Sequence, residues 1–432
     1  MSKRTLVKAL GVVLLIAIVF PAMAWRRALD RIDSGSTKTF PADVVAKGEE
    51  LAGVGDCMVC HTVAGGQAYA GGFGLHSAFG TIYSTNITPD PDTGIGRWSE
   101  AAFARALHQG VARDGSHLFP VFPYDHYSKV RDEDIHALYA FFMTRQPVHA
   151  NAIPSTLPFP LNVRALQAGW KLLFFRGGVF QPDPAKSDKW NRGAYLAEGL
   201  GHCASCHTPR NRLGAEKSDA AYAGAMVDGW LAPALASTNP SPMPWTNDEL
   251  SGYLRTGATA LHGSAAGPMS SVVHQVLAKL PDADVQAIAA YFADLNDSSA
   301  REGESDQTLA TKMALAHRDA RNDNADGAEL YVAACASCHY NGGATPLEVR
   351  PELALNSALT GPDPANLIHI ILDGISRSDG MPILFMPGFA KSLSDTDIAT
   401  LVAYLRRTRT DQPPWEDLPA TVAAIRTQEG TP

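Results

Sequence analysis

Three stretches of the chain set two thiols and an imidazole at one fixed spacing: Cys57-Met-Val-Cys60-His61, Cys203-Ala-Ser-Cys206-His207 and Cys335-Ala-Ser-Cys338-His339. Two cysteines two residues apart, with histidine directly after, form the attachment pattern of c-type haem. The thiols add to the two vinyl groups of the porphyrin, and the neighbouring imidazole lies beneath the ring as the proximal iron ligand. A bare Cys-x-x-Cys also suits a zinc knuckle or a thioredoxin-like redox pair. Zinc would require a second ligand pair close by, and a redox pair would sit in a βαβ setting. The sequence around the motifs offers neither. All 6 cysteines fall inside the three motifs, which leaves none for a disulfide framework. The pattern therefore reads as three covalent haem c groups, held by Cys57, Cys60, Cys203, Cys206, Cys335 and Cys338, with His61, His207 and His339 on the irons.

The sixth ligand sets the iron's potential and decides whether it is open to chemistry. Methionine is the usual partner in cytochromes c and raises the potential. Met269, in Ala266-Gly-Pro-Met269, is expected to ligate the second haem. Met386, in Phe385-Met386-Pro-Gly-Phe389, is expected to ligate the third, with Met381 as a competing Met-Pro. The corresponding loop of the first unit, Leu118-Phe-Pro-Val-Phe122-Pro-Tyr-Asp-His126-Tyr, contains no methionine. His126 is the expected ligand there, which makes that iron bis-histidine and lowers its potential relative to a His/Met pair. His117 is the loop's other histidine, and a five-coordinate iron stays open as an alternative. Met143 lies past the start of the terminal helix and is set aside for that reason.

Each motif needs helices to present it, and the flanking sequence repeats accordingly. Before the motifs stand Gly48-Glu-Glu-Leu51, Gly193-Ala-Tyr-Leu196 and Gly327-Ala-Glu-Leu330; after them come segments opening at Asp132, Asp282 and Asp395. These later segments carry apolar residues at i and i+3 or i+4, the mark of one buried helical face, and their leading Asp suits an N-cap. Helix, motif, loop and terminal helix form a unit that occurs three times, so the repeat sets the architecture. The fold expected is mainly α: three tandem cytochrome c-like domains, each a small helical bundle around one covalent haem c. Their bounds are 40–146, 187–297 and 326–410. A Pro-rich, aromatic connector spans 147–186, a polar and flexible linker 298–325, and a C-terminal tail 411–432.

At 432 residues the chain has material for about three domains of roughly 150 residues. A net charge of −8, with no basic stripe, argues against a nucleic-acid partner. Residues 1–24 combine a basic start (Lys3, Arg4, Lys8) with an apolar stretch and end in Ala22-Met-Ala24, the pattern of a secretory signal. A retained N-terminal anchor is the rival reading; either one exports the chain, to the periplasmic side of a bacterial inner membrane. Within the connector, 166–180 is apolar and aromatic. It is read as a short helix packed between domains, with contact to a partner subunit or the membrane surface as the alternative.

Other residues have plainer readings. Arg210 could pair with a haem propionate or serve as a surface charge. Asn86-Ile-Thr-Pro-Asp90 reads as an Asx/Pro turn near the first haem. Trp98 and Trp190 read as core anchors rather than electron relays.

Taken with these motifs, the chain resembles the three-haem cytochrome c subunits of bacterial membrane-associated periplasmic dehydrogenases acting on alcohols, aldehydes, gluconate, sorbitol or fructose. The resemblance covers nearly the whole chain after residue 24. It rests on Tyr83-Ser-Thr-Asn-Ile-Thr-Pro-Asp90, Gly94-Ile-Gly-Arg-Trp98, Leu118-Phe-Pro-Val-Phe-Pro-Tyr124, Trp190-Asn-Arg-Gly-Ala-Tyr195, Gly201 to Asn211, Ala266-Gly-Pro-Met269 and Met386-Pro-Gly-Phe389. It implies a partner catalytic subunit that uses pyrroloquinoline quinone, flavin or a molybdenum cofactor. It also implies electron transfer through the haems to ubiquinone or a terminal oxidase. The departure is Phe122, where many relatives of the alcohol type carry the ligating methionine. The Phe-Pro-Tyr-Asp-His variant resembles forms with aldehyde-oxidising, molybdenum-hydroxylase-type partners. No carboxylate pair, Ser/His constellation or nucleotide fingerprint suggests that the chain transforms an organic substrate itself. The expected function is electron transfer. The alternatives are a catalytic first haem of peroxidase or thiol-oxidising type, and a terminal-oxidase subunit.

Overall fold

The computed structural model describes residues 20, 24–33, 39–301, 303, 305–321, 323–340, 343, 345–348, 350–375 and 385–429. Most of the expected export segment and Met381 lie outside these residues. The structure is mainly helical; among the described residues the strands form four two-stranded antiparallel sheets. The chain divides into two compact units. One comprises residues 1–183 with 195–202, the other 184–194 with 203–432, so the second and third motif regions share a unit.

In the first unit, helix Ala42–Val54 crosses helix Asp132–Met143. Only glycine fits at the crossing, since a Cβ on Gly48 would stand 1.9 Å from the Ala137 carbonyl oxygen. The second motif region repeats the arrangement, with a Cβ on Gly193 falling 1.9 Å from Ala287 O. The glycine of the sequence repeat is thus the point where the leading and terminal helices touch. Each pair is sealed by apolar side chains, among them Leu51, Ile135 and Leu138 in the first and Val285, Ile288 and Phe292 in the second.

The terminal helices run Asp132–Met143, Asp282–Leu295 and Asp395–Arg409. The repeated Asp is their first helical residue rather than the N-cap; Arg131, Pro281 and Ser394 occupy that place. At this position the carboxylate faces the positive end of the helix dipole. The second acid of each Asp-x-Asp has a partner of its own. Asp134 accepts from Tyr195 Oη at 2.5 Å, and Asp284 takes a two-pronged bond from Arg192 at 2.8 and 2.7 Å. Asp397 completes a capping box with Ser394.

Two segments differ from expectation. Residues 298–325, read as a flexible linker, contain helices Ser298–Arg301 and Ser305–Ala316. Lys312, Met313 and Ala316 are buried, Met313 against Met243 and Leu355. The 411–432 region folds back as helix Leu418–Glu429, and its Leu418, Val422 and Ile425 complete the core around Ile368, Ile398 and Val402. The tail is therefore part of the third module's core.

The connector contributes helix Gln167–Phe174, which meets the first module through Lys171 and through Trp170 and Phe175 packed on Tyr124. Lys171 Nζ donates to Gln109 O and Gly110 O at 2.6 Å each and lies 3.1 Å from His117 Nδ1. Three acceptors match the three protons of the charged amine, while burial and then the Arg26 charge pull its pKa down to about 7. Lys171→Ala strands those acceptors under the connector and is expected to cost about 1–3 kcal/mol. Early proteolytic cutting within 159–175 checks this; wild-type resistance would refute it.

Candidate functional site

All three motifs fold into a single helical turn. The amide of His61, His207 and His339 donates to the carbonyl of Cys57, Cys203 and Cys335 at 3.0, 3.1 and 2.9 Å. That turn carries both thiols and the imidazole in one compact frame. None of the six cysteines forms a disulfide. Burial pushes the Cys57 and Cys203 thiols up to about 12 and that of Cys335 up to about 11. A redox dithiol works through a thiolate stabilised near neutral pH, and burial shifts these three thiols the other way.

Each motif histidine is fixed by a backbone carbonyl. His61 Nδ1 donates to Thr85 O at 2.6 Å, His207 Nδ1 to Pro233 O at 2.7 Å and His339 Nδ1 to Pro351 O at 3.3 Å. A carbonyl only accepts, so the proton sits on Nδ1 and the Nε2 lone pair is available, the arrangement metal-ligating imidazoles use. Burial lowers the pKa of all three rings and keeps them neutral. These three carbonyls escaped sequence reasoning because a backbone oxygen has no residue signature. The only trace was the Asn86 run beside Thr85. Asn86 Oδ1 accepts from Thr88 N at 2.9 Å while Nδ2 donates to Val148 O at 2.7 Å, which fixes the turn that ends in the Thr85 carbonyl.

The third site shows a cavity. A cleft open to solvent has Cys335, His339 and Met386 in its walls together with apolar Leu367, Ile370 and Ile371. A thiol, an imidazole and a thioether lining one greasy cleft fit a flat iron macrocycle with nitrogen and sulfur axial ligands. In the second site, Met269 lies in the short helix Pro268–Ser271, directly after Gly267.

The first site differs. Phe122 packs on Tyr127 at 5.2 Å between ring centroids, and the Tyr127 hydroxyl donates to Gly55 O at 3.3 Å beside the first motif. His126 is buried, and its Nδ1 donates to Glu198 O at 2.9 Å, the same kind of carbonyl bond that the motif histidines make. His117 has both nitrogens engaged, Nε2 on Ala24 O at 2.9 Å and Nδ1 toward Lys171 at 3.1 Å.

Arg210 reaches Ser205 O at 3.1 Å, Gly214 O at 2.8 Å and Glu216 at 3.5 Å, so it braces the loop after the second motif. Trp190 is half-buried rather than in the core, donating to Asp294 at 2.9 Å and packing on Tyr291 at 5.1 Å.

Comparison with known proteins gives matches along most of the chain. Residues 45–146 and 191–296 match the family described as cytochrome c, and residues 322–405 match "Cytochrome C oxidase, cbb3-type, subunit III". The chain is 45% identical over 419 residues to a nicotinate dehydrogenase subunit of Pseudomonas putida. That alignment covers 96% of this chain but 34% of that protein, so the chain spans about a third of that relative. It is 40% identical to the gluconate 2-dehydrogenase cytochrome c subunit of Pantoea cypripedii, over 84% of this chain and 85% of that one. To the fructose dehydrogenase cytochrome subunit of Gluconobacter japonicus it is 38% identical, over 84% and 78% of the two chains.

Proposed function

Since the chain belongs to the family of cytochrome c subunits of bacterial dehydrogenase complexes, we propose that it takes electrons from a partner catalytic subunit through three covalent haems c and delivers them to ubiquinone or a terminal oxidase. The observation that carries this reading is the cleft lined by Cys335, His339 and Met386. Bound haem c supplies a one-electron couple. The chain supplies the rest: thiols for attachment, imidazoles locked in one tautomer, and the sixth ligands. Met269 and Met386 serve the second and third sites, and His126 the first.

The partner's substrate class follows the relatives. Identity of 45% along 96% of this chain supports a partner of the nicotinate dehydrogenase kind ahead of sugar, gluconate or alcohol oxidation. Localisation on the periplasmic side of the inner membrane is supported by the composition of residues 1–24. Among the described residues no helix is long and apolar enough to cross a membrane. Membrane-surface contact is supported by the exposed Phe159, Leu172 and Leu173 and the neighbouring Arg176.

The test is the full chain, matured with its haems, mixed with membranes that hold its partner. Nicotinate, gluconate, fructose and ethanol are offered in turn while haem reduction is followed. Reduction by one substrate only, together with no turnover by the chain alone, is expected. Turnover by the isolated chain would defeat the electron-transfer reading.

The first haem carries its own prediction. His126→Ala is expected to abolish its low-spin paramagnetic resonance signal and leave the other two unchanged. An unaltered signal removes His126 from the ligand set.

A further inference from the structure

The third cleft is not walled by its own module alone. Ser264, in the strand Gly263–Ser264 that leads toward Met269, is among its lining residues. Gly263 beside it lies against Asn356, another lining residue, so closely that a Cβ would come within 2.5 Å of the Asn356 Nδ2. Further along the same loop, Gly267 presses on the indole of Trp230; a Cβ there would stand 2.5 Å from Cε2. Its φ of 54° also favours glycine. The loop that ends in Met269 is therefore fitted to Trp230 on one count and to the third cleft on another.

Trp230 begins the strand Trp230–Ala232, and the next residue is Pro233, whose carbonyl holds His207. This hairpin thus touches both the proximal histidine and the methionine loop of the second site. It is gripped in turn by helix Ala365–Asp373. Asn366 accepts from Leu231 N at 2.7 Å and donates to Leu231 O at 2.8 Å, as a neighbouring strand would. Three residues on, on the same helical face, His369 stacks on Trp230 with centroids 4.5 Å apart and planes 13° apart. The buried His369 ring also bonds Gly229 O through Nε2 at 3.2 Å. Leu367, Ile370 and Ile371 of that helix line the third cleft. A single helix holds the second site's hairpin and walls the third site.

We propose that the Trp230–His369 stack is the joint that fixes the second and third haem sites as one coupled pair, with Trp230 a positioning residue for electron exchange between them. The proposal rests on the three-haem reading above. The exchange is one electron, lost at one site as it is gained at the other, with no proton and no third reactant. A buried aromatic stack is directional as well as apolar. Its removal frees the Gly267 loop and the hairpin together.

The experiment uses the full, haem-loaded chain as wild type, Trp230→Ala, Trp230→Phe and Asn366→Ala. Haem content, redox titration and electron equilibration after flash photoreduction are read on each. Trp230→Ala is expected to keep three haems and to slow equilibration between the methionine-ligated pair several-fold. Trp230→Phe recovers most of that rate, and the first haem's potential does not move. Wild-type equilibration in Trp230→Ala with full haem content overturns the joint. Should Trp230→Ala lose haem, Asn366→Ala decides: a slower exchange supports the joint and an unchanged one overturns it. Fewer than three haems in the wild type would instead sink the three-haem reading.

Discussion

Replacing Cys335 and Cys338 together by alanine is expected to yield a chain with two haems where the wild type has three. Intact mass and pyridine haemochrome content measure the difference, and the other two attachment sites should fill normally. The reason is local. Each motif is its own helical turn with its own carbonyl-held histidine, so the loss of one pair of thiols leaves the others untouched. The third module should lose more than colour. Its cleft is lined by Leu367, Ile370 and Ile371 on the helix whose Ile368 and Leu372 belong to the main core. A group that binds only the folded form stabilises it, so an empty cleft leaves that apolar wall against water. Thermal unfolding is expected to split, with the third module melting early. An unchanged mass in the variant would end the covalent-haem reading of the third motif, and a redox dithiol would have to be reconsidered against a Cys335 thiol that burial holds near 11.

The helices were legible because they repeat. Gly48 and Gly193 recur where a leading helix must approach a carbonyl of the terminal helix, and that requirement leaves a letter in the sequence. The terminal helices were legible from the apolar spacing behind Asp132, Asp282 and Asp395, though the Asp residues act on the helix dipole instead of capping it. Helix Ser305–Ala316 was hidden for a physical reason. It buries little more than Lys312, Met313 and Ala316, and half of its letters are polar although the element is packed. Lys312 reaches Asp411 at 3.1 Å, and Arg409 Nη1 reaches Leu315 O at 3.2 Å, contacts that join segments far apart in sequence. The tail was hidden in the same way, since Leu418, Val422 and Ile425 make a core stripe only once the partner helices are in place. At the sites, the cysteines and histidines were readable because their spacing is the chemistry. The orienting carbonyls of Thr85, Pro233 and Pro351 were not, because any residue can supply an oxygen and only the folded loop says which one does. Trp230 looked like any tryptophan until Gly267 and His369 were seen against it.

Met386→His should shift one haem of the three to a markedly lower potential while haem content stays at three. Methionine opposite histidine raises the potential and a second histidine lowers it; the expected move is roughly 0.2 V, inside the roughly 0.8 V that axial ligands command. The backbone around position 386 is fixed without help from the side chain. Met386 pairs antiparallel with Ile375, and Gly374 beside it adopts a φ of 76° with no room for a Cβ, which would stand 2.2 Å from Met386 O. The substitution therefore exchanges the ligand and leaves its support in place. Redox titration should change from two higher-potential haems and one lower to one higher and two lower, because the first site lacks a methionine at Phe122 from the outset. Met386→Ala completes the argument. It should leave that iron one ligand short and able to bind carbon monoxide once reduced, which the wild-type third site should not do. If both variants titrate and bind as the wild type does, Met386 is a wall residue of the cleft, and Met381 becomes the methionine to replace.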